Sequence, residues 1–134
     1  MKKVDVQTNK TQEYVDITQR LQAAVKESGV QEGVAFVYCP HTTAGLCVNE
    51  NYDPTVAADI LNKLEELVPV HGAYSHAEGN AAAHIKSCLM GVSLQLLVSG
   101  GRLVLGTWQG VFFCEFDGPR QRKVLLKVLS SGVS

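Results

Sequence analysis

Three of the four histidines in the sequence stand among small polar residues at the ends of predicted chain elements. These three are His41, His76 and His84, whereas His71 has no polar motif beside it. Three neutral imidazoles that converge can bind zinc and leave a fourth position open, and imidazole rings can also surround a phosphate. Their spacing matches no local metal motif such as His-Glu-x-x-His. The histidines therefore predict a metal or phosphate site, without deciding between the two.

Two carboxylates, Glu50 and Asp53, occupy the short segment between a predicted strand and a predicted helix. Asp53 directly precedes Pro54, a pair that is typical of an N-cap followed by the first helical residue. Glu50 has no capping or helix-pairing role in the sequence. This favours a functional role for Glu50, as a general base or as the acceptor for a substrate amine. We expect it to lie near the turn at His41 if the strand doubles back.

A further carboxylate, Glu115, falls inside the apolar segment 108–117. If this segment forms one strand, Gln109 and Glu115 share a face with apolar side chains. A carboxylate in such surroundings is costly unless it is paired. Two interpretations remain open, namely an ion pair with Arg120 or Arg122, and a pocket lined by Gln109 and Glu115.

The elements that position these residues follow from hydrophobic periodicity and from helix-breaking residues. Helices are predicted over 19–28, 54–68 and 81–90, with Thr18, Asp53 and Asn80 as their N-caps. Strands are predicted over 4–7, 13–15, 34–38, 45–49, 94–98, 102–106, 108–116 and 123–129. Strands that first alternate with helices and then run together favour one α+β domain over 1–134. Its mixed or antiparallel sheets would pack against two to three helices.

The composition narrows the classes of function. The 134 residues carry a net charge of −1, so there is no overall basic field to bind nucleic acid or an anionic membrane. The N-terminal segment does not read as a secretory leader, and no apolar run is long enough to cross a bilayer, which predicts a cytoplasmic protein. The four cysteines form no Cys-x-x-Cys pair and stand in apolar contexts, so we expect reduced, buried side chains.

Three blocks of residues stand out together along the chain. The first is His41-Thr42-Thr43-Ala44-Gly45-Leu46 with Asn49-Glu50, Asp53 and Asp59. The second is His76-x-Glu78-Gly79-Asn80 with Ala83-His84. The third is Gly101-x-Leu103-x-Leu105-Gly106-Thr107-Trp108-Gln109 with Glu115-x-Asp117-Gly118-Pro119-Arg120-x-Arg122. In this order, and over essentially the whole chain, they resemble the YjbQ-like family, which is also described as the secondary thiamine-phosphate synthase family.

The resemblance implies a small α+β fold, a homotrimer and a site near the subunit boundaries. It also implies weak thiamine-phosphate synthase-type activity, in which a pyrimidine pyrophosphate is joined to a thiazole phosphate and pyrophosphate is released. A divalent metal, zinc or magnesium, is implied at His41, His76 and His84. The implied catalytic residues are Glu50, Asp53 and His84. The implied substrate- or phosphate-binding residues are Thr42, Thr43, Asn80, Trp108, Gln109, Glu115 and Arg120.

Two alternatives remain beside this transferase. One is a non-catalytic binder of a small phosphorylated metabolite, and the other is a metal-dependent hydrolase that uses three histidines and a carboxylate base. The expected partners are a small phosphorylated molecule and further copies of the same chain. The second expectation also rests on the segments 111–113 and 124–126, which are apolar on both strand faces. Neither nucleic acid nor a membrane is an expected partner.

Overall fold

Alternating apolar residues form two antiparallel sheets in the computed structural model, which describes residues 1–132. The strands are β1 (Lys2–Gln7), β2 (Glu13–Asp16), β3 (Gly33–Tyr38), β4 (Ala44–Glu50), β5 (Ser93–Ser99), β6 (Arg102–Leu103), β7 (Gln109–Glu115) and β8 (Gln121–Ser130). The helices are α1 (Thr18–Ser28), α2 (Pro54–Leu67) and α3 (Ala81–Met90). The predicted α+β class with two to three helices is confirmed. Among these described residues, no helix is both long and apolar enough to cross a membrane.

The main core lies between the two sheets. The five-stranded sheet has the order β1-β8-β3-β5-β6 and the three-stranded sheet the order β2-β7-β4. Val37 of β3 and Leu126 of β8 belong to one buried cluster with Leu46 of β4 and Phe113 of β7. Helix α1 contributes Leu21 to the same cluster. Side chains from one face of each sheet and from α1 therefore form a single continuous core.

A second apolar layer covers the other face of the three-stranded sheet. Phe112 and Cys114 of β7 pack there with Ala83 of α3 and Leu61 of α2. Strand β7 is paired along both edges as the middle strand of its sheet, and its two faces are covered by the core and by this second layer. The apolar faces of the segment 111–113 are therefore covered within the protomer, by the core on one side and by this second layer on the other.

The helix starts show which of the predicted caps operate. Asp53 caps α2 as predicted, since its carboxylate accepts the N–H of Thr55 at 2.9 Å. Asn80 precedes α3, but its side chain makes no capping bond because its amide donates to Asp117 instead. Thr18 is the first residue of α1 rather than its N-cap, and its hydroxyl accepts a backbone N–H of β7. The predicted side-chain caps at Asn80 and Thr18 are therefore wrong.

Glu115 and Arg122 form a buried ion pair at one end of the main core. Glu115 is 0% exposed and Arg122 6%, and Arg122 donates from Nε and Nη2 to the two carboxylate oxygens at 2.9 and 2.5 Å. Thr8 and the backbone N–H groups of Phe116 and Asp117 donate to the same carboxylate. Burial raises the pKa of Glu115, but these hydrogen bonds, led by those from Arg122, outweigh it and leave the pKa below its usual value.

The pair decides between the two interpretations of Glu115. Arg122 is the partner because it faces the core from β8, whereas Arg120 lies on the surface and pairs with Asp117. Both carboxylate oxygens of Glu115 are engaged and none of its surface reaches solvent. The implied role of Glu115 in binding substrate is therefore wrong, and its side chain joins the two sheets instead.

Replacing Arg122 by Met is expected to lower the free energy of unfolding by about 3–5 kcal/mol, because it leaves a buried carboxylate unpaired. The matched variant Arg120→Met removes an exposed ion pair and should cost about 1 kcal/mol or less. Urea unfolding followed by circular dichroism measures both changes. Equal losses in the two variants would contradict the role assigned to the buried pair.

Candidate functional site

A pocket of about 480 Å³ lies between the end of β3 and one side of α3. We call it the histidine pocket. It is lined by Tyr38, Cys39, Pro40, His41, Thr42, His84, Ser87, Cys88, Gly91 and Val92. Its size falls within the range of sites that hold small organic ligands. The fold thus brings residues of the first and second sequence blocks to one concave surface.

The imidazole ring of His41 fixes the residue just after β3 by contacting the backbone of β8. The β3–β8 ladder ends at the pair Tyr38 and Leu125, and Pro40 just beyond it has no N–H to continue it. The ring nitrogen Nε2 of His41 takes this place, at 3.0 Å from the backbone nitrogen of Lys123 and 3.2 Å from its carbonyl oxygen. Phe113 contacts the ring edge-on, with centroids 6.3 Å apart. Nδ1 is therefore the ring nitrogen left for a ligand.

The surroundings of His41 favour its neutral form. Partial burial is the main cause, and the nearby guanidinium of Arg122 is the second, so the pKa of His41 is lowered from its usual value. A neutral imidazole whose Nε2 is engaged can offer one donor or one acceptor at Nδ1. This chemistry suits a hydrogen bond to an oxygen atom of a ligand.

The two threonines after His41 have different surroundings. Thr42 is exposed and lines the histidine pocket. Thr43 is buried, and its hydroxyl accepts a hydrogen bond from Nη2 of Arg122 at 2.9 Å. The implied ligand-binding role is therefore wrong for Thr43, which fixes the turn to the buried ion pair. The same role remains a proposal for Thr42.

His84 connects the histidine pocket to the loop before α3. Its ring meets that of His76 edge-on, with centroids 5.2 Å apart and an interplanar angle of 83°. Nε2 of His76 lies 3.9 Å from the carboxylate of Glu78. His71 is exposed in the same loop and does not line the pocket. His84 is thus the histidine that links the other two candidates.

Asn80 and Arg120 hold the start of α3 against the turn after β7. The carboxylate of Asp117 accepts the side-chain amide of Asn80 and the guanidinium of Arg120, each at 2.9 Å. The amide oxygen Oδ1 of Asn80 is buried and has no hydrogen-bond partner among residues 1–132. Turning the amide over would set this oxygen against the Asp117 carboxylate, so Asp117 fixes its orientation. Both residues are engaged in positioning α3, and their implied contact with phosphate remains a proposal.

The histidines of one protomer do not fit the implied zinc or magnesium site. Within residues 1–132, no group of three His, Cys, Asp or Glu side chains is placed to hold a metal ion. His41 uses Nε2 on the backbone of β8, and the rings of His76 and His84 stack edge-on with each other. Metal ligation by three imidazoles needs nitrogen atoms about 2 Å from one common point. The arrangement suits hydrogen bonding to an anion better than coordination of a cation.

A second pocket, of about 460 Å³, is lined by Glu50, Tyr52, Asp53, Pro54 and Trp108. We call it the acidic–aromatic pocket. Trp108 is 57% exposed and Tyr52 76%, and their ring centroids lie 5.2 Å apart. Glu50 accepts the backbone N–H of Asp53 at 3.3 Å, a local turn contact that the sequence did not reveal. Two exposed rings beside two carboxylates suit a flat ligand that carries N–H groups or positive charge.

The two pockets lie at opposite ends of β4. His41 precedes the strand and Glu50 ends it, so they are separated by roughly 20 Å at about 3.4 Å per residue. The strand does not double back, because it pairs with β7 over its whole length. The expectation that Glu50 lies near the turn at His41 is therefore wrong within one protomer. Gln109 lines neither pocket, and its amide oxygen accepts the N–H of Gly106 at 2.8 Å.

Sequence reasoning missed the roles of Tyr52, Ser87 and Asp117. Ser87 donates to the carbonyl oxygen of Ala44 at 2.7 Å and so ties α3 to β4 beneath the histidine pocket. The ring of Tyr52 contacts that of Trp108, which is distant in the sequence, so no local sequence pattern predicts this contact. Asp117 belongs to the third sequence block, and this membership could have indicated that its carboxylate has a role.

A family model, curated relatives and solved structures that match this chain all belong to one protein family. The family model described as UPF0047 protein YjbQ-like matches residues 2–131. A UPF0047 protein of Methanocaldococcus jannaschii is 50% identical over 95% of this chain and 92% of its own length. The UPF0047 protein YugU of Bacillus subtilis is 48% identical over 96% and 98%. The crystal structure of an uncharacterized protein of the same family from Clostridium acetobutylicum has a TM-score of 0.94 at 50% identity, covering 96% of this chain and all of that one (100%).

His41 is expected to titrate below the usual histidine value of 6.5, because burial and Arg122 disfavour the imidazolium ion. The unfolded chain then binds the proton more readily than the native one. The stability contributed by His41 is therefore fully present above about pH 6.5 and declines as the pH falls through its lowered pKa. Proton NMR of the imidazole Cε1–H, assigned with His41→Gln, measures the midpoint. A midpoint at or above 6.5 would overturn the assigned electrostatics.

Proposed function

Because this chain belongs to the family of UPF0047 YjbQ-like proteins, we propose that it is a small enzyme acting on phosphorylated molecules at the histidine pocket. One observation carries the proposal, namely that His41 and His84 line a single pocket together with Thr42. Imidazole N–H groups and a hydroxyl are donors that bind phosphate oxygens. The buried guanidinium of Arg122 adds positive charge beneath the same turn, although Glu115 offsets part of it.

The first turn of α3 supports an anion near His84. The free N–H groups at the start of a helix carry partial positive charge and attract phosphate. Helix α3 has no acidic residue in its first turn, and the side chain of Asn80 leaves these N–H groups uncapped. This end of the helix therefore adds to the attraction exerted by the pocket side chains, although the Asp117 carboxylate bound to Asn80 offsets part of it.

We propose that the acidic–aromatic pocket takes the organic part of a substrate. Trp108 offers a face for stacking a flat heterocycle, and Glu50 can accept its exocyclic N–H groups. A protomer cannot offer both pockets to one small molecule, since they are separated by roughly the length of β4. The proposed active site is therefore composite, with the histidine pocket of one subunit beside the acidic–aromatic pocket of another.

A homotrimer would supply this juxtaposition, because a closed ring sets one surface of each subunit against a different surface of the next. An apolar patch on the outer face of the five-stranded sheet supports self-association. Val34 stands between Leu97 of β5 and Leu129 of β8, and Phe36 and Val104 extend the same patch. All of these side chains except the half-buried Val34 are exposed in the protomer. Exposed apolar surface of this kind is typical of an interface.

The finer proposal is a transfer of the thiamine-phosphate synthase type. The ring nitrogen of a thiazole phosphate attacks the methylene carbon of a pyrimidine pyrophosphate, a C–N bond forms, and the C–O bond to pyrophosphate breaks. Negative charge grows on the leaving pyrophosphate. His41, Thr42 and His84 would stabilise it by hydrogen bonds that strengthen in the transition state. Glu50 would hold the pyrimidine amine, and Asp53 would fix the adjacent start of α2.

A non-catalytic binder of a phosphorylated metabolite is the second candidate. The separation of Glu50 and Asp53 from the histidines in one protomer favours it, because the lining of the histidine pocket can bind phosphate but includes no carboxylate. The two candidates differ in turnover. The binder holds its ligand without releasing pyrophosphate, and its affinity survives Glu50→Gln.

The proposed reaction is tested by incubating the protein with a pyrimidine pyrophosphate and a thiazole phosphate and measuring released pyrophosphate. Removing one donor to the developing charge, by His84→Ala or Thr42→Val, should lower the rate about a hundredfold or more. The exposed His71 provides the matched control, and His71→Ala should retain the native rate. Binding of inorganic pyrophosphate without any turnover would support the binder instead. Native turnover in His84→Ala would contradict both candidates.

The oligomer is tested by light scattering at micromolar concentration, where a trimer has three times the chain mass of 14.5 kDa. Leu97→Glu places a charge in the centre of the exposed apolar patch and is expected to give monomers, because an unpaired charge is costly in an interface. Ala23→Glu, on the exposed face of α1, is the matched control and should remain trimeric. A monomer mass for the native protein would contradict the composite site.

A further inference from the structure

Two cysteines meet in the second apolar layer, between the three-stranded sheet and the helices. Cys47 of β4 and Cys114 of β7 lie on neighbouring strands, and both side chains face α2 and α3. Their Sγ atoms are 3.7 Å apart, which is van der Waals contact. The sequence predicted reduced, buried cysteines, which is wrong for the exposed Cys88 and only partly right for the half-buried Cys47. The described residues hold one adjacent pair, while Cys39 is buried elsewhere and Cys88 is exposed.

The two thiols of this pair differ in reactivity. Cys47 is half-buried, and hydrogen bonds from Cys114 and from Tyr14 lower its pKa. Cys114 is fully buried, and burial raises its pKa well above the usual value. Cys47 is therefore the more exposed residue of the pair and has the lower thiol pKa, and the Cys114 thiol lies 3.7 Å from it. This asymmetry is the requirement for an attacking thiol and a resolving thiol.

We propose that Cys47 and Cys114 form a reversible disulfide when the protein meets a hydroperoxide. The Cys47 thiolate attacks the outer oxygen of the peroxide, the O–O bond breaks, and an alcohol or water leaves with a solvent proton. Cys47 is then a sulfenic acid. The sulfur of Cys114 attacks the sulfur of Cys47, an S–S bond forms, and the hydroxyl leaves as water with the proton of Cys114. The two thiols supply the two electrons that reduce the peroxide.

The disulfide would lock the three-stranded sheet at the strands that carry the candidate site. Strand β4 follows the turn of His41, and β7 ends in Glu115 of the buried pair. Cys47 pairs with Phe112 and Cys114 with Gly45, so the two cysteines are diagonal neighbours, and closing a bond of about 2 Å requires the backbones of both strands to shift. The oxidation does not depend on what the histidine pocket binds. Reduction by a dithiol restores both thiols.

In the test, the native protein is treated with hydrogen peroxide and then unfolded in a denaturant that contains N-ethylmaleimide, which alkylates every remaining thiol. Mass spectrometry counts the alkylated thiols. Two of the four thiols should be lost, the protein should lose the mass of two hydrogen atoms, and peptide mapping should join Cys47 to Cys114. Dithiothreitol should restore all the thiols. Cys88→Ser is the matched control and should form the same disulfide.

Two variants separate the steps. Cys114→Ser should stop at the sulfenic acid, which dimedone traps at Cys47, and Cys47→Ser should form no disulfide. Circular dichroism establishes that each variant is folded, and peptide mapping of the native protein gives a result that needs no variant. Retention of all thiols after peroxide would overturn the proposal. A disulfide that involves Cys39 or Cys88, or one that persists in Cys47→Ser, would overturn it equally.

Discussion

The buried ion pair of Glu115 and Arg122 is the interaction on which the arrangement of the site depends. It joins β7 of one sheet to β8 of the other, at the end of the core where the chain turns through His41. Two charges in a dry core cost free energy unless all their hydrogen-bonding positions are filled. Here Thr8 and two backbone N–H groups donate to the carboxylate, and Thr43 accepts from the guanidinium. The turn before β4 is positioned because it helps to satisfy Arg122.

Local sequence patterns predicted the helices and strands well, but they predicted poorly which side chains contact each other across the fold. The Asp53-Pro54 pair fixed the start of α2, because an N-cap acts within its own turn. Asn80 had the same local pattern, yet its amide binds Asp117, a partner far away in the sequence. The ion pair of Glu115 was one of two open interpretations, since periodicity places a side chain on a face but does not say what lies opposite. Long-range partners decided each of these cases.

In the candidate site, too, the sequence identified individual residues but not their contacts. The sequence identified His41 and His84 by their polar neighbours, and the fold brings them to one pocket. It assigned Thr42 and Thr43 the same role, whereas the turn before β4 leaves Thr42 exposed and sets the hydroxyl of Thr43 against Arg122. Glu50 was expected beside His41 because the sequence does not show whether the chain between them runs straight or doubles back. A fully paired strand acts as a rigid spacer, so residues of a single sequence block reach two separate surfaces.

The position of β8 has a consequence for how the protein is made. This strand comes last among the described strands, yet it lies inside the five-stranded sheet, between β1 and β3. During synthesis, β1 and β3 leave the ribosome with no partner between them until β8 has emerged. Until then their unpaired edges and apolar faces stay open to other nascent chains. Premature termination anywhere before β8 therefore leaves a chain that cannot close its larger sheet and whose unpaired strand edges favour aggregation.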